Sequence, residues 1–203
     1  VKLLYVTDRA AVGEERLERV LDSLQGAPGL LVQVREKIGT DREQLRRAQS
    51  ARAKLGASVP LFVNRRFDVA LAAGADGVHL PAAGLPVSRV RVASPRGFRV
   101  GVSTHSVPEA MRAIEEGADL VVLGPIFETP SKESFGRPLG LEALAALPTR
   151  DAHGSEVFAI GGIDETRLAE LLPFADRISG VAGIRLIQES DQPRAVLERI
   201  VAA

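Results

Sequence analysis

Cysteine and tryptophan are missing from this 203-residue chain, and methionine, tyrosine and asparagine occur once each. Without cysteine there is no disulfide, no thiol nucleophile and no thiolate-held metal. Neither sign of charge is in excess: 26 Lys and Arg stand against 26 Asp and Glu, which argues against a nucleic-acid footprint or an acidic tail. No long uncharged apolar run occurs, so no membrane span is expected. The opening VKLLYVTDRA meets charge too soon for a secretory signal. A cytoplasmic location is the default expectation. The chain is 45% apolar and long enough for a real core, so one domain over residues 1–203 is expected.

Lysine is scarce too, with 4 against 22 arginines. Chemical durability at high temperature favours few Asn, Cys and Met residues, and a GC-rich genome produces the same arginine bias; both readings stand. The one asparagine, Asn64, falls at the end of an apolar run.

Short apolar runs alternate with amphipathic stretches. Eight runs read as strands, at 3–6, 30–34, 60–64, 77–80, 99–103, 120–126, 156–162 and 177–184. Helical patterns lie at 14–25, 41–55, 66–73, 86–92, 107–116, 141–147, 164–172 and 185–202. The joint Gly74-Ala75-Asp76 recurs as Gly117-Ala118-Asp119, and as Ala175-Asp176 without the glycine, each closing a helix and leading into a strand. Eight strand–helix units fit an α/β fold of the (β/α)8 TIM-barrel class. The alternative, an open doubly wound sheet, usually has a Gly-rich first turn, whereas the first strand here runs into Thr7-Asp8-Arg9.

In such a barrel the working face lies at the C-terminal ends of the strands. In VQVREK, alternation puts Gln33, Arg35 and Lys37 on one face and Val32, Val34 and Glu36 on the other. The valines belong against the helices, so the polar triple points into the mouth, and unpaired cations there imply an anionic ligand. The third strand ends in Asn64, which can donate and accept. Arg65 and Arg66 follow at a helix start, with Asp68 placed to pair with one of them. GVSTHS supplies Ser103 and His105, and the capping-box spacing of Ser106 and Glu109 sets His105 between strand end and helix start. There it is either a proton-transfer group or a histidine hydrogen-bonded beside a cap. His79 reads as buried or hydrogen-bonded within its strand, and His153 as solvated in a loop. The longest loop, 124–140, offers Thr129, Ser131 and Lys132. After the last two strands, Gly161, Gly162, Gly183 and Ile184 let backbone N–H groups approach an anion just before a helix N-terminus. Barrels commonly bind phosphate at that place. A small substrate with a phosphate and a second acidic group fits this distribution.

VQVREK, LFVNRR, GADGVHL, GVSTHS, GPIFETPSK and AIGGI, in this order, resemble the thiamine phosphate synthase/TenI superfamily over nearly the whole chain. The resemblance implies a barrel that handles phosphorylated thiazole. Thiamine phosphate synthases join a pyrimidine pyrophosphate to thiazole phosphate. They hold the pyrophosphate with Mg2+ through an Asn-Asp-Arg motif after strand 3 and a His-Leu-Gly-Gln-x-Asp motif after strand 4. Here these read Asn64-Arg65-Arg66 and His79-Leu80-Pro81-Ala82-Ala83-Gly84, with neither aspartate, and a hard cation needs oxygen ligands.

The remaining set is similar to TenI-type thiazole tautomerases, in which a histidine of the strand 5 motif, matched by His105, aromatises a carboxylated thiazole phosphate by moving a proton. That resemblance implies no cofactor and no metal. It implies a thiazole phosphate carboxylate as ligand, with the phosphate at Gly161, Gly162, Gly183 and Ile184. The carboxylate or ring falls to some of Arg35, Lys37, Asn64, Ser103 and Lys132. Two other activities stay open: a synthase using other metal ligands such as Asp8 or Asp68, and a non-catalytic regulatory binder of thiazole or thiamine phosphate. Oligomeric state is left open, a homo-oligomer included.

Overall fold

The computed structural model describes residues 1–129 and 137–203. Its strands are β1 (Lys2–Val6), β2 (Leu30–Val34), β3 (Leu61–Asn64), β4 (Gly77–Leu80), β5 (Arg99–Thr104), β6 (Leu120–Leu123), β7 (Glu156–Ile160) and β8 (Gly180–Gly183). They follow one another in sequence order around a closed barrel. The helices among the described residues are α1 (Arg9–Val12), α2 (Glu14–Ser23), α3 (Asp41–Leu55), α4 (Phe67–Ala72), α5 (Val87–Ala93), α6 (Val107–Glu115), α7 (Gly140–Ala145), α8 (Glu165–Leu171), α9 (Arg185–Gln188) and α10 (Pro193–Ala202). The architecture is the (β/α)8 class expected from the alternating runs. None of these helices is long and apolar enough to cross a membrane.

Local chemistry accounts for the element ends. In α2 the buried residues Leu17, Val20 and Leu21 recur at helical spacing, each leucine contributing about 1.5–3 kcal/mol by leaving water. A capping box starts α3: Thr40 Oγ1 accepts from Glu43 N at 3.3 Å, and the Glu43 carboxylate accepts from Thr40 N at 2.7 Å. Gly56, at φ 77°, ends that helix in a conformation a β-carbon resists.

Several boundaries differ from the sequence pattern: the run 156–162 is a strand only to Ile160, and the run 177–184 only over Gly180–Gly183. The run 120–126 pairs as a strand only to Leu123, after which Ile126 N and Phe127 N turn to the carbonyls of Ile160 and Gly161 at 2.8 and 3.0 Å. The helical pattern 185–202 breaks into α9 and α10. Pro193 cannot continue a helix, and Ser190 Oγ takes the N–H of Gln192 at 3.0 Å. An additional short helix, α1, precedes α2.

The chain divides into two compact units, one of Lys2–His79 with Gly183–Ala202, the other of Leu80–Ala182, with which the terminal Val1 and Ala203 group. The recurring joint is wired alike in each. In the first, Asp76 N donates to Leu61 O at 2.8 Å, and the Asp76 carboxylate accepts from Leu61 N at 2.7 Å and from Arg52. In the second, Asp119 N donates to Val100 O at 2.9 Å, and its carboxylate accepts from Val100 N at 2.6 Å and from Arg91. The carboxylate thereby supplies an acceptor to an N–H at the start of another strand, Leu61 of β3 and Val100 of β5. The third copy was expected at Ala175-Asp176, but it is Ser179 whose N–H bonds Val157 O, at 2.7 Å. Asp176 lies outside the sheet with Arg177 at 3.9 Å. Asp119→Ala, which strands the Val100 N–H and takes from Arg91 its carboxylate partner, is expected to cost about 1–3 kcal/mol. Asp176→Ala should stay within about 0.5 kcal/mol of wild type. Denaturant midpoints of the two variants check the contrast.

Candidate active site

In the Leu80–Ala182 unit the site is built around His105. Along β5, Val102 and Thr104 are buried while Ser103 is half-buried; Thr104 Oγ1 donates to Val122 O at 3.2 Å. His105 follows directly, on the alternation side of Ser103. Ser106 Oγ accepts from Glu109 N at 3.3 Å, but the Glu109 carboxylate reaches one residue further back than a regular box, to His105 N at 2.7 Å. The ring Nδ1 lies 2.8 Å from Gly124 O. A carbonyl only accepts, so Nδ1–H donates and the basic nitrogen of the neutral ring is Nε2. The reading of His105 as a histidine hydrogen-bonded beside a cap is met, and the contact with Gly124 O sets its tautomer.

The glycines after β7 have backbone reasons of their own. Gly161 and Gly162 have φ 102° and 64°. A β-carbon on Gly161 would lie 2.6 Å from Pro125, and one on Gly162 2.4 Å from Glu128 O. The next helix start is already capped, because the Asp164 carboxylate accepts from Arg167 N at 2.8 Å. The expected contribution of that helix N-terminus to anion binding is therefore corrected: its own aspartate supplies the negative charge. Thr129 is half-buried and the last described residue before the gap; Ser131 and Lys132 lie outside the described residues.

In the other unit β2 ends at Val34, so Arg35 and Lys37 sit in the turn beyond it. They still come together, on one acid that the sequence reading did not place there. Asp8 Oδ2 accepts from Arg35 Nη1 at 3.1 Å and from Lys37 Nζ at 3.0 Å. The expectation of unpaired cations is corrected accordingly: Asp8 offsets one of the two charges. Burial pushes the Asp8 carboxyl up, but the hydrogen bonds and charges of Lys37 and Arg35 outweigh it and hold it below the usual range. Gln188, fully buried in α9, fixes this corner: its Oε1 accepts from Asp8 N at 3.1 Å and Tyr5 Oη at 3.2 Å. Glu36, which the alternation placed on the opposite face, lies beyond the strand and lines the same cleft as Arg35 and Lys37, where it accepts from Arg9 at 3.0 Å and Arg47 at 2.9 Å. That cleft, of about 320 Å3, is lined by Asp8, Arg9, Arg35, Lys37, Ile38 and Arg47 among others.

Gln33 serves Asn64 and is not grouped with Arg35 and Lys37: Gln33 Nε2 donates to Asn64 Oδ1 at 3.0 Å, which turns the Asn64 amide so that Nδ2 is its donor. Arg66 is held by Asp68 at 2.6 Å and by Asp41, and Asp68 is drawn down to about 2, first by the hydrogen bond from Arg66. Gly183 needs no special backbone conformation, and a β-carbon there would meet nothing closer than Leu186 at 3.4 Å. Ile184 follows as the N-cap residue of α9. His79 is buried as expected, and His153, expected in solvent, is half-buried with Nδ1 accepting from Ser155 N at 3.3 Å. Among the described residues no three His, Asp or Glu side chains gather to hold a metal.

Gln188 is the residue that sequence reasoning passed over, and Asp8 was named there only as a possible metal ligand, not as the partner of Arg35 and Lys37. Thr7-Asp8-Arg9 gave a usable signal, an acid at a strand end in a chain with cations at the next strand end. Gln188 gave none, being one polar residue in an amphipathic stretch.

The fold is that of barrel enzymes with polar side chains past the strand ends. The chain belongs to the thiamine monophosphate synthase family, whose model matches residues 3–187. It is 41% identical over 206 residues to a thiamine-phosphate synthase of Methanoculleus marisnigri, covering 98% of this chain and 96% of that one. To a putative thiamine-phosphate synthase of Geobacter sulfurreducens it is 38% identical over 203 residues, covering 98% and 92%. A solved thiamine phosphate pyrophosphorylase from Pyrococcus furiosus superposes with a TM-score of 0.81 at 29% identity, over 99% of this chain and 94% of that one.

Burial pushes the His79 imidazole down to about 4 from 6.5. Between those values the unfolded chain takes up a proton that the folded chain refuses, so stability is lost as pH falls from about 6.5 to about 4 and is level above. The full loss is about 3 kcal/mol. His79→Gln should flatten this limb, measured as the difference in unfolding free energy between pH 7 and pH 5 in the two proteins.

Proposed function

We propose that this chain acts in thiamine assembly on a thiazole phosphate, that residues 1–203 work as one barrel domain, and that the reaction is the aromatising proton shift of a carboxylated thiazole phosphate. The observation that carries this reading is His105, whose tautomer is set by Gly124 O at 2.8 Å. Its Nε2 takes a ring proton and the imidazolium returns one at the position that completes the aromatic ring, so atoms balance without a co-reactant. Backbone N–H groups at Gly161, Gly162, Gly183 and Ile184 hold the phosphate. Arg35 and Lys37, in the register that Asp8 gives them, hold the carboxylate or ring with Asn64 and Ser103, and Thr129 and Lys132 complete the ligand set.

The names of the relatives favour a second reading, coupling of a pyrimidine pyrophosphate to thiazole phosphate, and on names alone it has the better support. That reaction as described above relies on Mg2+, which the residues here do not fit. The chain reads Asn64-Arg65-Arg66 after β3 and Pro81-Ala82-Ala83-Gly84 after β4, without a carboxylate. Asp8 and Asp68 already accept from cations. Hard cations are held by oxygen ligands, above all carboxylates.

Two assays on the purified protein decide between the readings. Tautomerisation with chelator present should proceed, and coupling with Mg2+ and both substrates should not; the reverse result establishes the synthase. His105→Asn should slow tautomerisation by roughly 10²–10⁴-fold and leave product affinity unchanged in a calorimetric titration. Gly183→Ala keeps its backbone N–H and has room for its methyl against Leu186, so it should fold normally, while the methyl, standing in the way of the phosphate's approach to that N–H, should weaken binding of thiazole phosphate by about tenfold.

A further inference from the structure

The corner after β3 holds a strained residue. Arg65 has φ 65°, the one non-glycine in the left-handed region among the described residues. Arg66 N donates to Asn64 O at 2.8 Å, and Arg65 N to His79 O at 2.8 Å. A hydrogen bond from residue i+2 to residue i around a centre of positive φ is the rare and strained form of γ turn. Glycine would adopt it at no steric cost.

The position instead carries a guanidinium that no packing explains. Arg65 is exposed, and among the described residues its side chain makes no hydrogen bond or ion pair. Its neighbour Arg66 is tied down by Asp41 and Asp68. On the other side Asn64 has its carbonyl oxygen engaged by Gln33, leaving an amide donor next to the strained residue. Strain kept at a strand's C-terminal end, with no contact to offset it, marks a functional position.

We propose that Arg65 is a specificity-determining residue that binds the carboxylate of the carboxylated thiazole phosphate. The proposal rests on the substrate class above. A planar guanidinium donates two parallel N–H bonds to a carboxylate, which an ammonium cannot reproduce. The γ turn fixes the backbone from which that fork extends.

The test titrates full-length wild type, Arg65→Gly and Arg65→Lys calorimetrically with two probes, the carboxylated thiazole phosphate and the same compound lacking the carboxylate. Arg65→Gly relieves the turn and should raise Tm by a few degrees. It should bind the carboxylated probe about tenfold or more weakly and the other within about twofold of wild type. Arg65→Lys should fall between wild type and Arg65→Gly on the carboxylated probe. Unchanged affinity of Arg65→Gly for both probes, equal loss for both, or no binding of either by wild type overturns the proposal. Turnover is not the readout. Wild type that discriminates through Arg65 yet does not tautomerise refutes the proton-transfer reading and leaves this one standing.

Discussion

Parallel strands cannot be joined by a tight turn; the chain must cross back to the other end before it can pair again. That constraint orders the rest of this molecule. Every strand enters at one end, where the joint carboxylates Asp76 and Asp119 accept an N–H at the start of another strand. Every strand leaves at the other, where the chain is released into turns. Structural side chains therefore collect at the entrances. Arg52 and Arg91 are examples, each bracing a joint aspartate and main-chain carbonyls. His105, Asn64, Arg35 and Lys37 all stand at exits. The division between stability and chemistry follows from chain direction.

Within the exits, electrostatics separates the cations by how far they are already satisfied. Arg66 is paired twice, and Arg35 and Lys37 share one carboxylate. A shared carboxylate is a weak competitor for a ligand, since its one charge faces two cations. It still spares the protein the cost of two like charges at close range. Asp8 can do this only if its backbone is immobile, which gives a reason for a fully buried glutamine. Gln188 satisfies both of its amide atoms on Tyr5 and Asp8, and a buried amide is tolerable only when so satisfied.

How much of this was legible in the sequence depends on how local each signal was. The strands and the barrel follow from apolar runs, and His105 from cap spacing, all readable within ten residues. The grouping of Arg35 with Lys37 was legible, though not the separation of Gln33 from them, and their partner was signalled only by an acid at the previous strand end, because pairing across strands needs register. The glycines after β7 were read for an anion, and they also answer to the chain at Pro125 and Glu128, a contact no local pattern contains. The third joint shows a limit of repeat reading. Ala175-Asp176 looks like its two predecessors, yet the sheet selects the residue directly before the strand, which is Ser179. The γ turn at Arg65 was invisible because arginine is among the last residues that composition would place at positive φ.

That last point bears on how the chain relates to its family. The match over residues 3–187 shows common descent of the barrel, and a barrel constrains the side chains at its exits less than those at its entrances, since the exit turns can meet the sheet through backbone groups, as Arg65 N does at His79 O. Replacing an acid with arginine at one exit leaves the fold intact while inverting the charge offered to a ligand. Such a change would turn a grip on a cation through carboxylates into a grip on an anion. Similarity averaged over the chain is dominated by core and entrance residues, so it reports the fold and the family faithfully and is nearly silent on a change of that kind. The residues at the strand ends, few as they are, carry the information on which reaction the barrel performs.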